Sequence, residues 1–494
     1  MRTTLMSAAF AVGAAFASSG EVELASPFAD GCVLQRDAPV AVWGRAGAGE
    51  RVEVSFGGRS VAAVAGEDGV WMVRLAPMPA CSEGRVLSAN GRKVKDVLVG
   101  EVWLCAGQSN AGMPLCGVNP RYRDRTGALA AAMARKPLVR LASVSGEPWC
   151  SERRAFTTRR IEWKALVPEG GADRFSAVGA YFALELHSAL GVPVGIVGAY
   201  EGSTPIEAWL PSSAFEGRPE LRDYPSYPPV SPEEWRDSMT NAFVRYGGYQ
   251  QPCVMWNARI APLAPYTLKG VVWYQGCSNK WNPDRYLALQ HALYDSLAEA
   301  FCRPDLAFRL VQVDALAWTG GSTVPIQLAQ AQFAKEEKNA AMVVISDIGN
   351  RWDAHPNEKG LVAKRLAALA LSRDYGFANL RAESPVLREW HADGREAVLT
   401  FDNARSLYLY NPDNSLDSTF ELAGADGRWS RAEIVNVEKN GLRRGAFSSN
   451  EIRLAATGVA SPTAVRYLCR PPFVGNVFNE MGLPLGVFST RASD

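Results

Sequence analysis

The sequence predicts an α/β protein in which a central domain is flanked by two β-rich modules. Apolar and polar residues alternate from about residue 21 to 95, the period-two pattern of half-buried strands. From about 96 the pattern changes to apolar runs separated by stretches of helical periodicity, which is typical of a parallel sheet covered by helices. Beyond about 385 the alternation returns. The predicted units are an N-terminal β-sandwich-like module over 18–95, a central domain over 96–384 and a C-terminal β-rich module over 385–494.

Length and charge narrow the range of functions. The 494 residues exceed what one ordinary hydrophobic core accommodates, so several structural units are expected. Lys and Arg (52) nearly balance Asp and Glu (51), and no run of one sign stands out. The chain lacks the basic stretches that favour nucleic-acid binding, so we expect no nucleic-acid partner. The sequence leaves the oligomeric state open.

The first residues have the pattern of a secretory signal. Met1 and Arg2 precede an apolar stretch, and Ala15-Phe16-Ala17 supplies small residues for cleavage. We expect a signal peptide over 1–17 and a secreted or periplasmic protein. The alternative is an N-terminal membrane anchor, which the stretch disfavours because a span needs about 20 apolar residues. No later segment is long enough, so no membrane span is expected once the signal is removed.

The chain carries no motif for a metal or a cofactor. Nine cysteines and four histidines are scattered without a CxxC pair or an HExxH motif. We therefore expect no metal and no cofactor.

The N-terminal module is predicted from alternating apolar residues. Turns at Gly57-Gly58 and Asp68-Gly69 separate its strands. The apolar positions of two strands are Val52, Val54 and Phe56 in one, and Trp71, Val73 and Leu75 in the other. A packing or carbohydrate-binding role suits such a module.

The central domain begins with a buried strand that ends at Gly107 and is followed by Ser109. Ligands bind outside the carboxyl ends of strands in open α/β sheets, so this hydroxyl is a candidate nucleophile. The alternative is a turn serine that bonds only to the backbone.

Further strands end at similar turns. A helix from Phe175 to Leu190 stops at Gly191, and the next strand leads to a turn with Gly202. After an irregular insertion around 210–255, the run Leu268 to Tyr274 leads to Asn279.

Two further helices and one further strand are predicted in the central domain. Asn282 is predicted to cap a helix that has Pro283 in its first turn. The strand Ala341 to Ile345 precedes Asp353-Ala354-His355, and Pro356 is predicted to lie in the first turn of the next helix.

Because the carboxyl ends of parallel strands share one edge, these turns predict a single constellation. Acyl transfer needs a nucleophile, a base, an orienting acid and donors for the oxyanion. His355 is the candidate base, because Asp353 lies two residues away and can orient its imidazole if the segment is extended. The alternative is that Asp353-Ala354-His355-Pro356 is a helix N-cap arrangement. The missing final glycine of a G-x-S-x-G motif at Ser109 disfavours the α/β-hydrolase fold.

Four blocks resemble those of a known family, the SGNH-type hydrolases, and within it the sialate O-acetylesterase group of carbohydrate esterases. The blocks are Gly100 to Asn110, Thr204 to Trp209, Trp273 to Gly276 with Ser278-Asn279, and Asp353 to Pro356. The flanking modules resemble the family in Val33 to Arg36 with Val42 to Gly44, and in Ala464 to Tyr467 followed by Gly482 to Pro484.

The resemblance implies a flavodoxin-like α/β/α fold without a metal, and removal of acetyl groups from sialic acid or other sugar esters. Ser109 would be the nucleophile, His355 the base and Asp353 its partner. The oxyanion hole would combine the Ser109 and Gly202 backbone N–H groups with the Asn279 side chain. Candidate pocket residues from the same blocks are Gln108, Glu207, Gln275 and Cys277.

Three positions depart from the family pattern. Cys277 stands where a glutamate is usual, Ser203 replaces a second glycine, and Ala111 replaces a larger residue. Two alternatives stay open: an acetyl xylan or other polysaccharide esterase, and a non-catalytic glycan-binding relative. The expected partner is an O-acetylated carbohydrate.

Overall fold

The computed structural model describes most of the chain. The described ranges are 21–116, 136–144, 161–167, 174–221, 249–314, 317–318, 321–349, 354–413, 415–440, 444–471 and 474–491. The predicted signal peptide over 1–17, residues 222–248 of the predicted insertion, and Asp353 lie outside these ranges. Among the helices that are described, none is both long and apolar enough to span a bilayer.

The N-terminal residues form short, mostly antiparallel strands. They are β1 (Glu23–Leu24), β2 (Val33–Gln35), β3 (Val40–Arg45), β4 (Arg51–Phe56), β5 (Arg59–Val64), β6 (Val70–Leu75) and β7 (Cys81–Ala89). β3 pairs with β1 and β6, and β4 pairs with β5 and β7. The inward positions of β4 and β6 are buried, as the alternation predicts.

One long strand, β8 (Arg92–Gly107), belongs to both the N-terminal module and the central sheet. Its first half pairs with β7 and, in parallel, with β2. From Glu101 onward it pairs with central strands instead. The predicted boundary between residues 95 and 96 therefore lies inside a continuous strand.

The central sheet is parallel except at one edge. Its other strands are β9 (Lys136–Ser143), β10 (Trp163–Leu166), β11 (Val194–Tyr200), β12 (Gly270–Tyr274), β13 (Ala307–Val311) and β16 (Ala340–Val343). The order is β10-β9-β11-β8-β12-β13-β16, and only β10 is antiparallel to its neighbour. A separate ribbon pairs β14 (Ala317–Trp318) with β15 (Gly321–Ser322).

Helices cover both faces of this sheet. They are α1 (Ser109–Gly112), α2 (Ala177–Leu190), α3 (Tyr286–Ala300), α4 (Val324–Glu336) and α5 (Lys359–Asp374). Trp103 of β8 packs in a cluster with α2 and α5, whereas the adjacent Leu104 packs in a cluster with α3 and α4. This alternation follows from the pleat, which turns successive side chains to opposite faces. The predicted α/β architecture is confirmed.

The predicted end of α2 is confirmed, whereas the helix begins at Ala177, two residues after the predicted Phe175. The Ser176 hydroxyl accepts a hydrogen bond from the Gly179 N–H at 3.0 Å, and Gly191 ends the helix with a φ of 67°. Of two other predicted starts, one is right in position and the other is wrong. Asn282 stands at the N-cap position of the 3₁₀ turn Pro283–Arg285, which continues into α3 at Tyr286, but its side chain bonds to Glu207 instead of capping. Pro356 precedes α5, which begins at Lys359.

Single-turn helices shape the loops around the sheet edge. The 3₁₀ turns are Ile206–Trp209, Ser212–Ala214, Pro219–Leu221, Cys277–Asn279 and Pro283–Arg285, and Trp256–Ile260 is a π-helical turn.

The residues beyond 385 are β-rich, and their buried hydrophobic cluster also includes Val324 of α4 in the central domain. The strands are β17 (Val386–Asp393), β18 (Glu396–Asp402), β19 (Leu407–Leu409), β20 (Phe420–Ala423), β21 (Trp429–Arg431), β22 (Glu433–Ile434), β23 (Glu451–Ala455), β24 (Ala464–Tyr467), β25 (Val477–Asn479) and β26 (Phe488–Ser489). They form the sheets β17-β18-β23-β22 and β21-β20-β24-β26, and the pair β19-β25.

Candidate active site

The candidate site lies where the strand order of the central sheet reverses. After β8, the chain adds β9 and β11 on one side of it, and then β12, β13 and β16 on the other. Connections leave such a switch point in opposite directions, so a crevice opens at the carboxyl ends of the strands. Ser109 follows β8 directly at this crevice.

The turn that carries Ser109 depends on a close backbone approach. Gly107 has a φ of 138°, and a Cβ atom built there would lie 2.2 Å from the Tyr274 carbonyl oxygen on β12. Only glycine fits this position. Gln108 is extended, and its side-chain oxygen accepts hydrogen bonds from the N–H groups of Gly276 (3.0 Å) and Ser278 (3.4 Å). Gln108 thereby fixes the nucleophile turn to the turn after β12.

The structure brings the candidate base to this serine. The distance between His355 Nε2 and Ser109 Oγ is 2.9 Å, and both residues are half-buried. This is within the range in which a base can take the hydroxyl proton. Asp353, the predicted partner of His355, lies outside the described residues, so its role stays a prediction.

Asn110 and Lys359 connect the serine turn to the histidine segment. Asn110 donates from Nδ2 to the Ala354 carbonyl oxygen at 2.7 Å, immediately before His355. Lys359 Nζ donates to Asn110 Oδ1 at 2.6 Å, and Lys359 is only 3% exposed. Sequence reasoning missed both residues. The position of Asn110 next to Ser109 was a signal, but nothing in the helical pattern of α5 marks Lys359.

Gly202 lies beside the nucleophile. A Cβ atom built at Gly202 would be 3.8 Å from the Ser109 Cβ, and the Glu201 N–H donates to the Gly107 carbonyl at 3.1 Å. The next residue, Ser203, has a φ of 60°, the left-handed conformation that glycine adopts without strain. The family's usual glycine at this position therefore has a backbone reason.

Asn279 lies in a buried hydrogen-bond network. Its Nδ2 donates to Glu207 at 2.7 Å and to Asn282 at 3.3 Å. Its Oδ1 accepts from the Ile206 N–H at 2.9 Å and from Gln275 Nε2 at 2.8 Å. All of its hydrogen-bonding positions are used within the protein. Its predicted role as an oxyanion donor is not tested by this arrangement and stays a prediction.

The four candidate pocket residues separate into different environments. Gln108 lines the cleft at Ser109. Glu207 and Gln275 are buried and hold Asn279. Cys277 is half-buried, and burial followed by the nearby Asp314 carboxylate raises the pKa of its thiol to about 12.

The cleft itself has a volume of about 330 Å³. Glu201 lies at its wall and forms an ion pair with Arg259, with 2.6 Å between Oε2 and Nη2. The described lining residues are Gln108, Ser109, Gly112, Met113, Pro114, Tyr200, Glu201, Gly202 and His355. Within the described ranges, no group of three or more His, Cys, Asp or Glu residues is placed to bind a metal ion.

Comparison with known proteins shows which family the chain matches. Residues 99–371, more than half of the chain, match the family described as carbohydrate esterase, sialic acid-specific acetylesterase. The chain is 29% identical over 453 residues to the sialate O-acetylesterases of Homo sapiens and Pongo abelii, covering 83% of this chain and 82% of each relative.

A solved structure is similar over nearly the whole chain. It is a carbohydrate acetylesterase from Xanthomonas citri, with 30% identity and a TM-score of 0.79 over 95% of this chain and 100% of that one. The chain therefore belongs to the sialic acid-specific acetylesterase family of carbohydrate esterases, and it is a carboxylic ester hydrolase.

Proposed function

We propose that this protein removes O-acetyl groups from sialic acid through a Ser109-His355-Asp353 triad and an acetyl-enzyme. The observation that carries the proposal is the 2.9 Å contact between Ser109 Oγ and His355 Nε2 at the switch point of the sheet. This pair supplies both the nucleophile and the base that acyl transfer from an ester needs.

The reaction would proceed in two steps. Ser109 Oγ attacks the acetyl carbonyl while its proton passes to His355 Nε2, and the imidazolium then protonates the departing sugar oxygen. In the second step water loses a proton to His355 and attacks the acetyl-enzyme, which releases acetate and restores the serine. Asp353 would hold the other imidazole nitrogen.

The oxyanion would be bound by the Ser109 and Gly202 N–H groups, which the proximity of Gly202 to Ser109 supports. Asn279 would be the third donor. Because its Nδ2 already donates to Glu207 and Asn282, one of these bonds would have to open as substrate binds.

The finer fold assignment is also a proposal: an SGNH-type, flavodoxin-like domain. If β9 and β10 are set aside as additions, the strands β11-β8-β12-β13-β16 have the order 2-1-3-4-5 in chain sequence. This is the flavodoxin-like order. Secretion or a periplasmic location remains part of the proposal on the basis of the N-terminal signal pattern.

A second candidate substrate is an O-acetylated polysaccharide such as acetyl xylan. The similarity to a solved protein described only as a carbohydrate acetylesterase favours it.

Acetate release from O-acetylated sialic acid, acetylated xylan and an aryl acetate tests both candidates. We expect release from sialic acid by the wild type and by the control Ser213→Ala, an exposed serine outside the cleft, and none by Ser109→Ala. Release from xylan but not from sialic acid would select the second candidate. Unchanged activity in Ser109→Ala would rule out this nucleophile.

A further inference from the structure

A second cleft, of about 900 Å³, lies where the C-terminal module meets the central sheet. Described residues of the loop between β19 and β20 and of the connection between β24 and β25 line it, and Asp347 after β16 contributes from the central domain. The Gly475 N–H donates to the Ser346 carbonyl at 2.8 Å, and the Ser346 hydroxyl donates to the Leu485 carbonyl at 3.1 Å. The two units are thus hydrogen-bonded at the cleft.

The walls of the cleft are held in place by side-chain amides. Asn476 donates from Nδ2 to Asn411 Oδ1 and to the Asp417 carbonyl, both at 2.8 Å. Asn411 in turn donates to the carbonyls of Ser415 (3.0 Å) and Asp417 (2.9 Å). These bonds hold the described residues of the loop to the opposite wall, and side chains held in place in this way lower the entropy cost of binding.

Two features of the lining suit a ligand with both hydroxyl groups and apolar faces. Tyr410 is 59% exposed, so its ring is available for stacking. Ser418 and Thr419 also line the cleft, and Ser418 is only 5% exposed. Their hydroxyl oxygens lie beneath the cleft surface, are shielded from solvent and have no hydrogen-bond partner. Because buried polar groups are normally paired, a change of side-chain rotamer that turns these hydroxyls to the cleft would let them pair with ligand hydroxyls.

The charges of the cleft are largely balanced by ion pairs. Asp347 pairs with Arg365, Asp417 with Arg431, and Glu421 with Arg466 and Arg470. An anionic ligand would have to compete with carboxylates for these arginines, whereas a neutral polyol would not. The chemistry therefore favours an uncharged sugar.

The cleft lies on the same edge of the sheet as Ser109. β16 is three parallel strands from β8, through β12 and β13. Three interstrand spacings amount to about 14 Å. The strand ends that lead to Ser109 and to Asp347 are therefore close together, which favours a ligand that extends from one cleft toward the other.

We propose that this cleft binds neutral sugars of the glycan whose acetyl group is presented to Ser109. The choice of a glycan rests on the proposed function, whereas the cleft and its lining do not.

Isothermal titration calorimetry with full-length Ser109→Ala protein tests the site without turnover. The probes are unacetylated xylohexaose, a galactohexaose and sialyllactose. We expect at least one neutral hexasaccharide to bind, and added Tyr410→Ala to weaken binding at least about fivefold, the effect of losing one aromatic contact. Added Ser415→Trp, which fills the cleft, should abolish binding. Added Phe377→Ala, an exposed aromatic residue outside the cleft, should leave the affinity unchanged.

The proposal is overturned if neither hexasaccharide binds, if only sialyllactose binds, or if Tyr410→Ala and Ser415→Trp retain the affinity of the parent protein. Thermal unfolding of each variant shows that it is folded. Because binding is measured in an inactive variant, loss of the proposed esterase activity would not by itself change this result.

Discussion

At the level of single residues, Asn110 holds the segment that carries His355 against the serine turn. Asn110→Ala removes the amide that donates to the Ala354 carbonyl and accepts from Lys359. The segment carrying His355 then loses a fixed contact with the serine turn. Because a misplacement of about 1 Å can cost about 10²-fold in rate, we expect kcat for an aryl acetate to fall by about that factor.

KM in the same assay should change by less than about twofold, since the contact acts on the reacting groups rather than on binding. Asn357→Ala, an exposed asparagine two residues after His355, serves as the matched control and should retain wild-type kcat. Wild-type kcat in Asn110→Ala would show that the contact does not position the histidine.

The raised pKa of Cys277 predicts a slow reaction with thiol reagents. Burial raises this pKa from 9.0 to about 12, so the neutral thiol is favoured. At pH 8 the reactive thiolate is then only about 10⁻⁴ of the total. We expect iodoacetamide to modify the exposed Cys302 first, and the rate at Cys277 to rise about tenfold per pH unit between pH 8 and 11. Peptide mass spectrometry measures both rates, and faster modification of Cys277 at pH 8 would contradict the prediction.

At the level of elements, the Asn279 network joins the turn after β11 to the turn after β12. Asn279→Ala leaves the Ile206 N–H, Gln275 Nε2 and Glu207 Oε2 each without one buried hydrogen bond. Each such loss costs about 1–3 kcal/mol, so we expect the free energy of unfolding to fall by about 3 kcal/mol or more. If Asn279 is also an oxyanion donor, kcat should fall by about 10²-fold.

Chemical denaturation and kinetics on Asn282→Ala separate these two effects. This variant removes one bond to Glu207 and one acceptor of the Asn279 amide, but it keeps the Asn279 side chain itself. It should lose stability and keep kcat. Equal kcat values in the two variants, each assayed well below its unfolding temperature, would remove Asn279 from the oxyanion hole.

The elements also show which parts of the structure could be predicted from the sequence. The approach of Ser109 to His355 was predictable because parallel strands end at one edge, and Gly107 marked the turn. The partners of Asn279 and Asn282 were not, because Glu207, which both contact, lies more than 70 residues away in the chain. Local capping preferences predicted Asn282 as a cap, and a long-range hydrogen bond to a buried carboxylate replaced that role. Lys359 reaches Asn110 for a similar reason, across 249 positions.

At the level of the whole molecule, the N-terminal module and the central domain share one hydrophobic core. Trp43 and Val54 of the module belong to the same buried cluster as Leu104 and Leu293 of the central domain. The Tyr266 hydroxyl also donates to the Val33 carbonyl at 2.6 Å. The change in sequence pattern near residue 95 coincides with a change of strand neighbours along β8.

This continuity predicts that the central domain does not fold without the N-terminal module. A chain shortened to begin at residue 96 would expose Val97, Leu98 and Val99, which are at most 1% exposed in the intact structure. It would also remove β2 and β7, the strands that pair with the first half of β8. We expect this chain to be insoluble or to lack a cooperative unfolding transition, since the exposed apolar edge favours aggregation. A chain beginning at residue 21 should instead be soluble, with the module and the central domain melting in one calorimetric transition. A soluble, active chain beginning at residue 96 would contradict the prediction and show that the shared strand is dispensable.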